Sequence, residues 1–238
     1  YLATVADDII TRRVTAAAAG EPVGDDLLGL LLAATDADDG SALSHDEVRD
    51  ETLTLILSGH ETTANVLTWA LCYLRDRTDL WQALAAEAEE FLPDGEVPDL
   101  RRVLSAPVSR AVLNESLRLA PPVWVAPRRA IDGVTVAGVR VPRGAHAIVS
   151  QYASHRNAHF FERPDEFVPE RWTDGFEASL PRGAYFPFGA GSRKCLGDQF
   201  ALLEAHIILM EFARTRRPRP IAERLPRAEP RATYRPAG

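Results

Sequence analysis

One long helical pattern constrains this chain more than any other stretch. It opens at Ser44-His45-Asp46-Glu47, with serine at an N-cap and glutamate three residues on, a capping box. Leu43 and Val48 are placed for a hydrophobic staple across it. No clear stop follows until about Arg77. The segment predicts a helix of about 30 residues, or roughly 45 Å at the usual rise. A rod of that length in a globular protein runs through the core. The middle of this one is apolar on most sides, at Leu53, Leu55, Ile56 and Leu57. Within it, Ser58-Gly59-His60-Glu61-Thr62-Thr63 sets a glycine and threonines where they weaken or bend a helix. A local opening is expected there.

The rest of the chain reads as helices with a few short strands. Tyr1 to Ala19 is a helix broken by Gly20 and Pro22, and Asp25 to Thr35 is a shorter one. Asp36 to Gly40 is an acidic turn. Asp79 to Leu92 is stopped by Pro93-Asp94-Gly95, and Val108 to Leu119 by Pro121-Pro122. Strand character follows at Gly133–Val136, Val139–Val141 and Ala147–Val149, with Ala137-Gly138 and Arg143-Gly144 fitting hairpin turns. A proline-punctuated stretch from Arg156 to Pro187 has little periodicity, and a loop this long usually has a job. Leu196 to about Arg216 is the last helix, and the tail to Gly238 reads as ending without a closing strand. The fold class is mainly α, with small antiparallel sheets.

Composition excludes several functions. A net charge of −7 argues against a general nucleic-acid binder. Cys72 and Cys195 are the only cysteines, too few for a disulfide framework or a C-x-x-C metal site. No histidine pair has zinc-ligand spacing. No apolar run is long enough to span a bilayer, and no signal peptide opens the chain. Tyr1 is not methionine, so the chain is not expected to begin at a translation start. Lys194 is the sole lysine among many arginines, a bias suited to a GC-rich bacterial genome.

The run Phe188-Gly189-Ala190-Gly191-Ser192-Arg193-Lys194-Cys195-Leu196-Gly197 opens directly into the last helix. A cysteine before a helix has its thiolate stabilised by the positive end of the helix dipole. The glycines allow tight turns and close approach to a flat ligand. Arg193 can pair with a carboxylate of that ligand. This F-x-x-G-x-R-x-C-x-G run resembles the haem-binding loop of the cytochrome P-450 family, the haem-thiolate monooxygenases.

Further motifs resemble that family in the same order. Ser58 to Thr63 looks like its oxygen-activation motif, with Ser58 where alanine is frequent. Glu115-Ser116-Leu117-Arg118 looks like its E-x-x-R, and Phe167 to Trp172 like its P-E-R-F segment. Pro127-Arg128-Arg129-Ala130 follows at the family distance, with Arg128 resembling the arginine on a haem propionate and Arg129 pointing away. His155-Arg156-Asn157 resembles a family H-R-[DN] turn, and of the histidine a structural hydrogen bond is expected rather than metal binding.

The resemblance implies a cytochrome P-450 fold, with residues 1–238 as the C-terminal portion of one domain, its N-terminal portion and a last sheet segment lying outside the chain. It implies haem b held by Cys195 and cradled by Phe188, Gly189, Gly191, Arg193, Gly197, Arg128 and Gly59. Glu61 and Thr62 would relay protons, and Glu115, Arg118 and Arg171 would form a salt-bridged trio that locks the loop beneath the haem. The implied reaction inserts one atom of O2 into a small organic substrate, with electrons from a ferredoxin or flavoprotein docked near Arg193 and Lys194. A cytoplasmic setting is expected, any membrane anchor lying upstream. A peroxygenase or isomerase of the same family, or a non-enzymatic haem-binding fragment, are the alternatives.

Overall fold

The computed structural model describes residues 1–217 and 224–237. Contacts divide the chain into two units, 1–61 and 62–238.

The first unit holds helix α1 (Leu2–Ala18), helix α2 (Leu27–Ala33) and the beginning of α3 (His45–Leu74). Ile10, Leu28 and Val48 form its apolar cluster. Asp26 caps α2 by accepting from the Gly29 N–H at 2.9 Å, and takes both Arg13 guanidinium nitrogens at 3.0 and 2.7 Å. The capping box at Ser44 forms as read: the Glu47 N–H donates to Ser44 Oγ at 3.3 Å, and the Ser44 N–H donates to Glu47 Oε2 at 2.8 Å.

Helix α3 is 30 residues long and continuous, so the opening expected at Gly59 is not a break. Ser58 Oγ donates back to the Thr54 carbonyl at 2.6 Å, and His60 Nδ1 lies 3.0 Å from the Ile56 carbonyl. A carbonyl oxygen has two lone pairs, so it accepts such a bond and keeps its helical one. In the apolar middle of the helix Ile56 and Leu57 are 41% and 55% exposed.

The second unit begins at Thr62 and contains the main core. Val66, Ala70 and Leu74 of α3 pack with Trp81 and Leu84 of α4 (Thr78–Phe91) and with Leu113 and Leu117 of α6 (Pro107–Leu119). Leu209 and Ala213 of α9 (Asp198–Thr215) complete it. Each such leucine, fully buried, contributes about 1.5–3 kcal/mol. The short α5 (Leu100–Val103) closes a second cluster of Ala88, Leu92, Val103 and Met210.

Helix α6 is started by a neighbour. Pro107 stands in its first turn, where a missing N–H costs nothing. The buried Glu87 carboxylate of α4 accepts the Val108 N–H, and the Ser109 N–H at 2.8 Å. Ser109 Oγ lies 2.7 Å from His206 Nδ1 of α9. Burial raises the Glu87 carboxyl above its ordinary range and holds His206 down to about 4.

Three two-stranded antiparallel sheets are present among the described residues. Strand β2 (Val134–Val136) pairs with β3 (Val139–Val141). Ala137 and Gly138, at φ 49° and 81°, make the mirror-image turn that matches strand twist. The hairpin expected at Arg143-Gly144 does not form. Instead β4 (His146–Val149) pairs with β1 (Ala126–Arg129), which precedes both. Helix α7 (Gln151–Ser154) follows.

The tail is corrected too. It carries β5 (Ala228–Pro230) and β6 (Tyr234–Pro236), paired with each other. The Tyr234 ring stacks on Trp69 with centroids 5.8 Å apart, and its N–H donates to the Pro122 carbonyl at 2.9 Å. Residue 238, where the tail was read to end, lies outside the described residues.

The unperiodic stretch after Arg156 has a job. It holds a short 3-10 turn at Pro169–Trp172 and helix α8 (Phe176–Ser179), and packs Phe161 and Trp172 beside α6.

Candidate functional site

Helix α6 carries Glu115 and Arg118, both fully buried, onto the face turned toward that stretch. Residues three apart share a helix face. The guanidinium meets the carboxylate through Nε and Nη2, at 2.8 and 2.9 Å. Glu115 also accepts from Arg171 Nε at 3.2 Å, the Val168 N–H at 2.9 Å and the Trp172 indole at 2.8 Å. A buried carboxylate with this many donors has its charge answered on all sides. The trio read from the sequence is thus assembled, with Trp172 and Val168 as donors that sequence reasoning missed.

Arg118 turns its remaining nitrogen outward to the chain. Nη1 donates to the carbonyls of His155 at 2.9 Å and Pro164 at 2.6 Å, and Nη2 also reaches that of Glu166 at 2.9 Å. Arg171 does the same for the Glu162 carbonyl at 2.8 Å. One ion cluster therefore satisfies carbonyls of a segment that has no regular structure to satisfy them.

The cysteine loop follows. Gly189 and Gly191 stand at φ 76° and 73°, the left-handed region that favours glycine. The Gly189 N–H donates to the Phe186 carbonyl, and the Cys195 N–H to the Phe188 carbonyl, both at 2.9 Å. Phe188 packs on the main core. Cys195 is a free, exposed thiol three residues before α9. Lys194 pairs with Asp198, whose carboxyl it holds below the usual range. That ammonium is partly answered within the chain, so Arg193 is the less committed cation of the two.

These parts converge on a cavity of about 360 Å³. Thr62, Thr63 and Val66 of α3 line it, with Leu113 and Leu117 of α6, Val123 to Arg128, and Phe188, Gly189, Arg193 and Cys195. Arg128 of β1 lines the cavity together with Ala126 and Pro127 before it; Arg129 is not among the lining residues. Of the predicted residues, the structure brings together Thr62, Arg128, Phe188, Gly189, Arg193 and Cys195. Gly59, Glu61, Gly191 and Gly197 do not line the cavity. Glu61 is exposed, one residue before Thr62, and Gly197 is the N-cap of α9.

The residues match the cysteine-loop, E-x-x-R and P-E-R motifs in a helical fold with small sheets, and the family follows from the comparisons. The sequence matches the description Cytochrome P-450 over residues 2–221, and the chain belongs to the cytochrome P-450 family. It is 40% identical over 196 residues to cyclooctatin synthase of Streptomyces melanosporofaciens, covering 82% of this chain and 42% of that protein. It is 35% identical over 185 residues to pentalenene oxygenase of Streptomyces avermitilis, covering 78% of this chain and 41% of that protein. The crystal structure of the cytochrome P-450DA heme domain superposes with a TM-score of 0.84 at 30% identity, over 98% of this chain and 51% of that one. The chain spans about two-fifths of the length of these curated relatives. No helix among the described residues is long and apolar enough to cross a membrane.

Membership implies haem, and the donor set fits it. An exposed thiol, two arginines for carboxylates and a mainly apolar wall surround one cavity. Gly189 lines the same cavity as the thiol without a side chain to fill it; a Cβ there would touch the Arg193 carbonyl oxygen at 3.7 Å, an ordinary contact.

Proposed function

We propose that residues 1–238 are the C-terminal portion of one cytochrome P-450 domain, its N-terminal portion lying outside the chain, and that the whole protein is a haem-thiolate monooxygenase. The observation that carries this reading is the meeting of Cys195, Arg193, Arg128 and Thr62 on one cavity. When bound, haem b supplies activation of O2 for insertion of one oxygen atom into a small organic substrate.

The chain's own residues have divided tasks. Cys195 Sγ would hold the iron. Arg128 and Arg193 would pair with the propionates, where a planar fork suits a carboxylate. Phe188 and the glycines give the loop its shape. Thr62 faces the cavity and moves protons at its Oγ1, while the exposed Glu61 collects them from solvent. Val123 and Val125 present apolar surface to the substrate. Two relatives are named for cyclooctatin and pentalenene, which supports an organic substrate of apolar character. Electrons come from a ferredoxin or flavoprotein donor meeting the Cys195 side, where Arg193 is exposed.

The test is spectroscopic. The chain, loaded with haem, reduced and exposed to carbon monoxide, shows the long-wavelength Soret band of a thiolate ligand. Cys195→Ser abolishes it and Cys72→Ser does not. An unchanged band in Cys195→Ser overturns the ligand assignment. Absence of haem binding in the parent favours a non-enzymatic fragment.

A further inference from the structure

We infer that His155 is a positioning residue that fastens the Cys195 loop to the Glu115–Arg118 ion cluster through its Nε2. This goes beyond the proposed function in one respect and rests on it in another: the fastening is a property of the chain itself, and its consequence for haem rests on that reading.

His155 has two neighbours of opposite kind. Its carbonyl accepts from Arg118 Nη1 at 2.9 Å, so its backbone belongs to the ion cluster. Its ring Nε2 accepts from the Phe186 N–H at 3.0 Å, so its side chain belongs to the cysteine loop. From Phe186 the hydrogen bonds run on: its carbonyl takes the Gly189 N–H, and the Phe188 carbonyl takes the Cys195 N–H. The imidazole is thus a rivet between a buried salt bridge and the turn that presents the thiol.

The ring is fixed in place. It is fully buried, packs at 5.0 Å on the Tyr185 ring and meets the Phe186 ring edge-on at 5.3 Å. Tyr185 is itself held by its hydroxyl on the Asn114 carbonyl at 3.1 Å.

The geometry dictates a tautomer. Nε2 accepts from a backbone N–H, so it carries no proton, and the neutral ring's proton sits on Nδ1. Nδ1 is buried and makes no close, well-aligned hydrogen bond among the described residues. Burial, aided by the cations Arg118 and Arg156, outweighs the backbone at Leu117 and Arg118, which favours protonation, and keeps the ring neutral with a pKa of about 3.

The acceptor's identity makes the inference testable. Glutamine places its Oε1 near where Nε2 lies, while the shorter asparagine matches Nδ1. In the 238-residue chain without haem, the parent shows a nitrogen spectrum of the Nδ1–H tautomer, and slow hydrogen exchange at the Phe186 and Cys195 amides. His155→Asn speeds exchange at both amides by about tenfold, the factor set by loss of one buried hydrogen bond. His155→Gln restores protection. Leu84→Ala, a core truncation in α4, leaves the ratio of loop to core protection unchanged. After haem loading, His155→Asn loses part of its thiolate Soret band and His155→Gln keeps it.

Three results overturn the inference: an Nε2–H tautomer in the parent, equal protection in His155→Asn and the parent, or a Phe186 amide released while that of Cys195 stays protected. The tautomer is read in the parent, so a misfolded variant does not shelter the idea. Failure to bind haem with the tautomer and the exchange pattern as stated would fault the proposed function and leave the fastening intact.

Discussion

Arg118 grips Glu115 with two nitrogens at 2.8 and 2.9 Å while a third nitrogen reaches the carbonyl of His155. Both side chains are fully buried. Such a pair adds little net stability by existing, but breaking it strands a charge. The unperiodic segment is therefore ordered by a cluster that must stay whole.

Glu115→Gln keeps the shape and removes the charge. It leaves Arg118 and Arg171 facing a neutral amide, and the expected loss is about 3–5 kcal/mol. Urea unfolding of the chain measures it. A loss below about 1 kcal/mol would place the cluster with ordinary surface ion pairs.

Two glycines of the cysteine loop should part company. Gly189 sits at φ 76°, so Gly189→Ala strains the backbone by about 1–2 kcal/mol. Gly197 sits at φ −94° with open space around a built Cβ, so Gly197→Ala stays within about 0.5 kcal/mol of the parent. Thermal unfolding of the two variants, compared side by side, checks the contrast.

Stability should fall on mild acidification. His155 and His206 are buried and neutral, with pKa values held to about 3 and about 4 against 6.5 in the open chain. The unfolded chain therefore binds more protons between pH 6.5 and about 4, and folded stability rises with pH across that window. The stabilising preference for the neutral rings is fully present above 6.5 and is lost as pH falls toward the folded values. Each histidine contributes a slope of up to about 1.4 kcal/mol per pH unit. Urea midpoints from pH 7 to 4.5 read this, and His206→Gln should flatten the curve. An unaltered slope in that variant would remove His206 from the account.

On the proposed function, Thr62→Ala made in the full-length protein should separate electron consumption from product. Thr62 lines the cavity, and a positioned proton donor contributes about 10²–10⁴-fold. The variant is expected to consume reduced nicotinamide cofactor while releasing more peroxide and less product. Equal coupling in variant and parent would take the proton role from Thr62.

What was legible in the sequence was local. The capping box at Ser44 and Glu47 and the turn at Ala137-Gly138 are set by residues within a few positions of each other, and both formed. The Cys195 loop was readable for the same reason, since its glycines and its helix lie side by side. What was missed is long-range. Strand β1 has the sequence Ala-Pro-Arg-Arg and no alternation; only its pairing with β4 makes it a strand. Trp172 was read only as the end of a P-E-R-F-like segment, yet its indole finds a carboxylate 57 positions away. In the apolar middle of α3 Ile56 and Leu57 are exposed, because periodicity records which face is apolar and not what lies against it.

The clasp of Tyr234 on Trp69 carries a consequence for biosynthesis. The two residues are 165 positions apart, and the Tyr234 carbonyl also accepts the Trp69 indole. Strand β6 must therefore clear the ribosome before the wall around Trp69, Trp124 and Pro122 can shut. Helices α4, α6 and α9 bury their shared face earlier, as soon as α9 is out. A nascent chain paused just after α9 would hold a packed core with an open side, and that side would be the natural place for a chaperone to engage it.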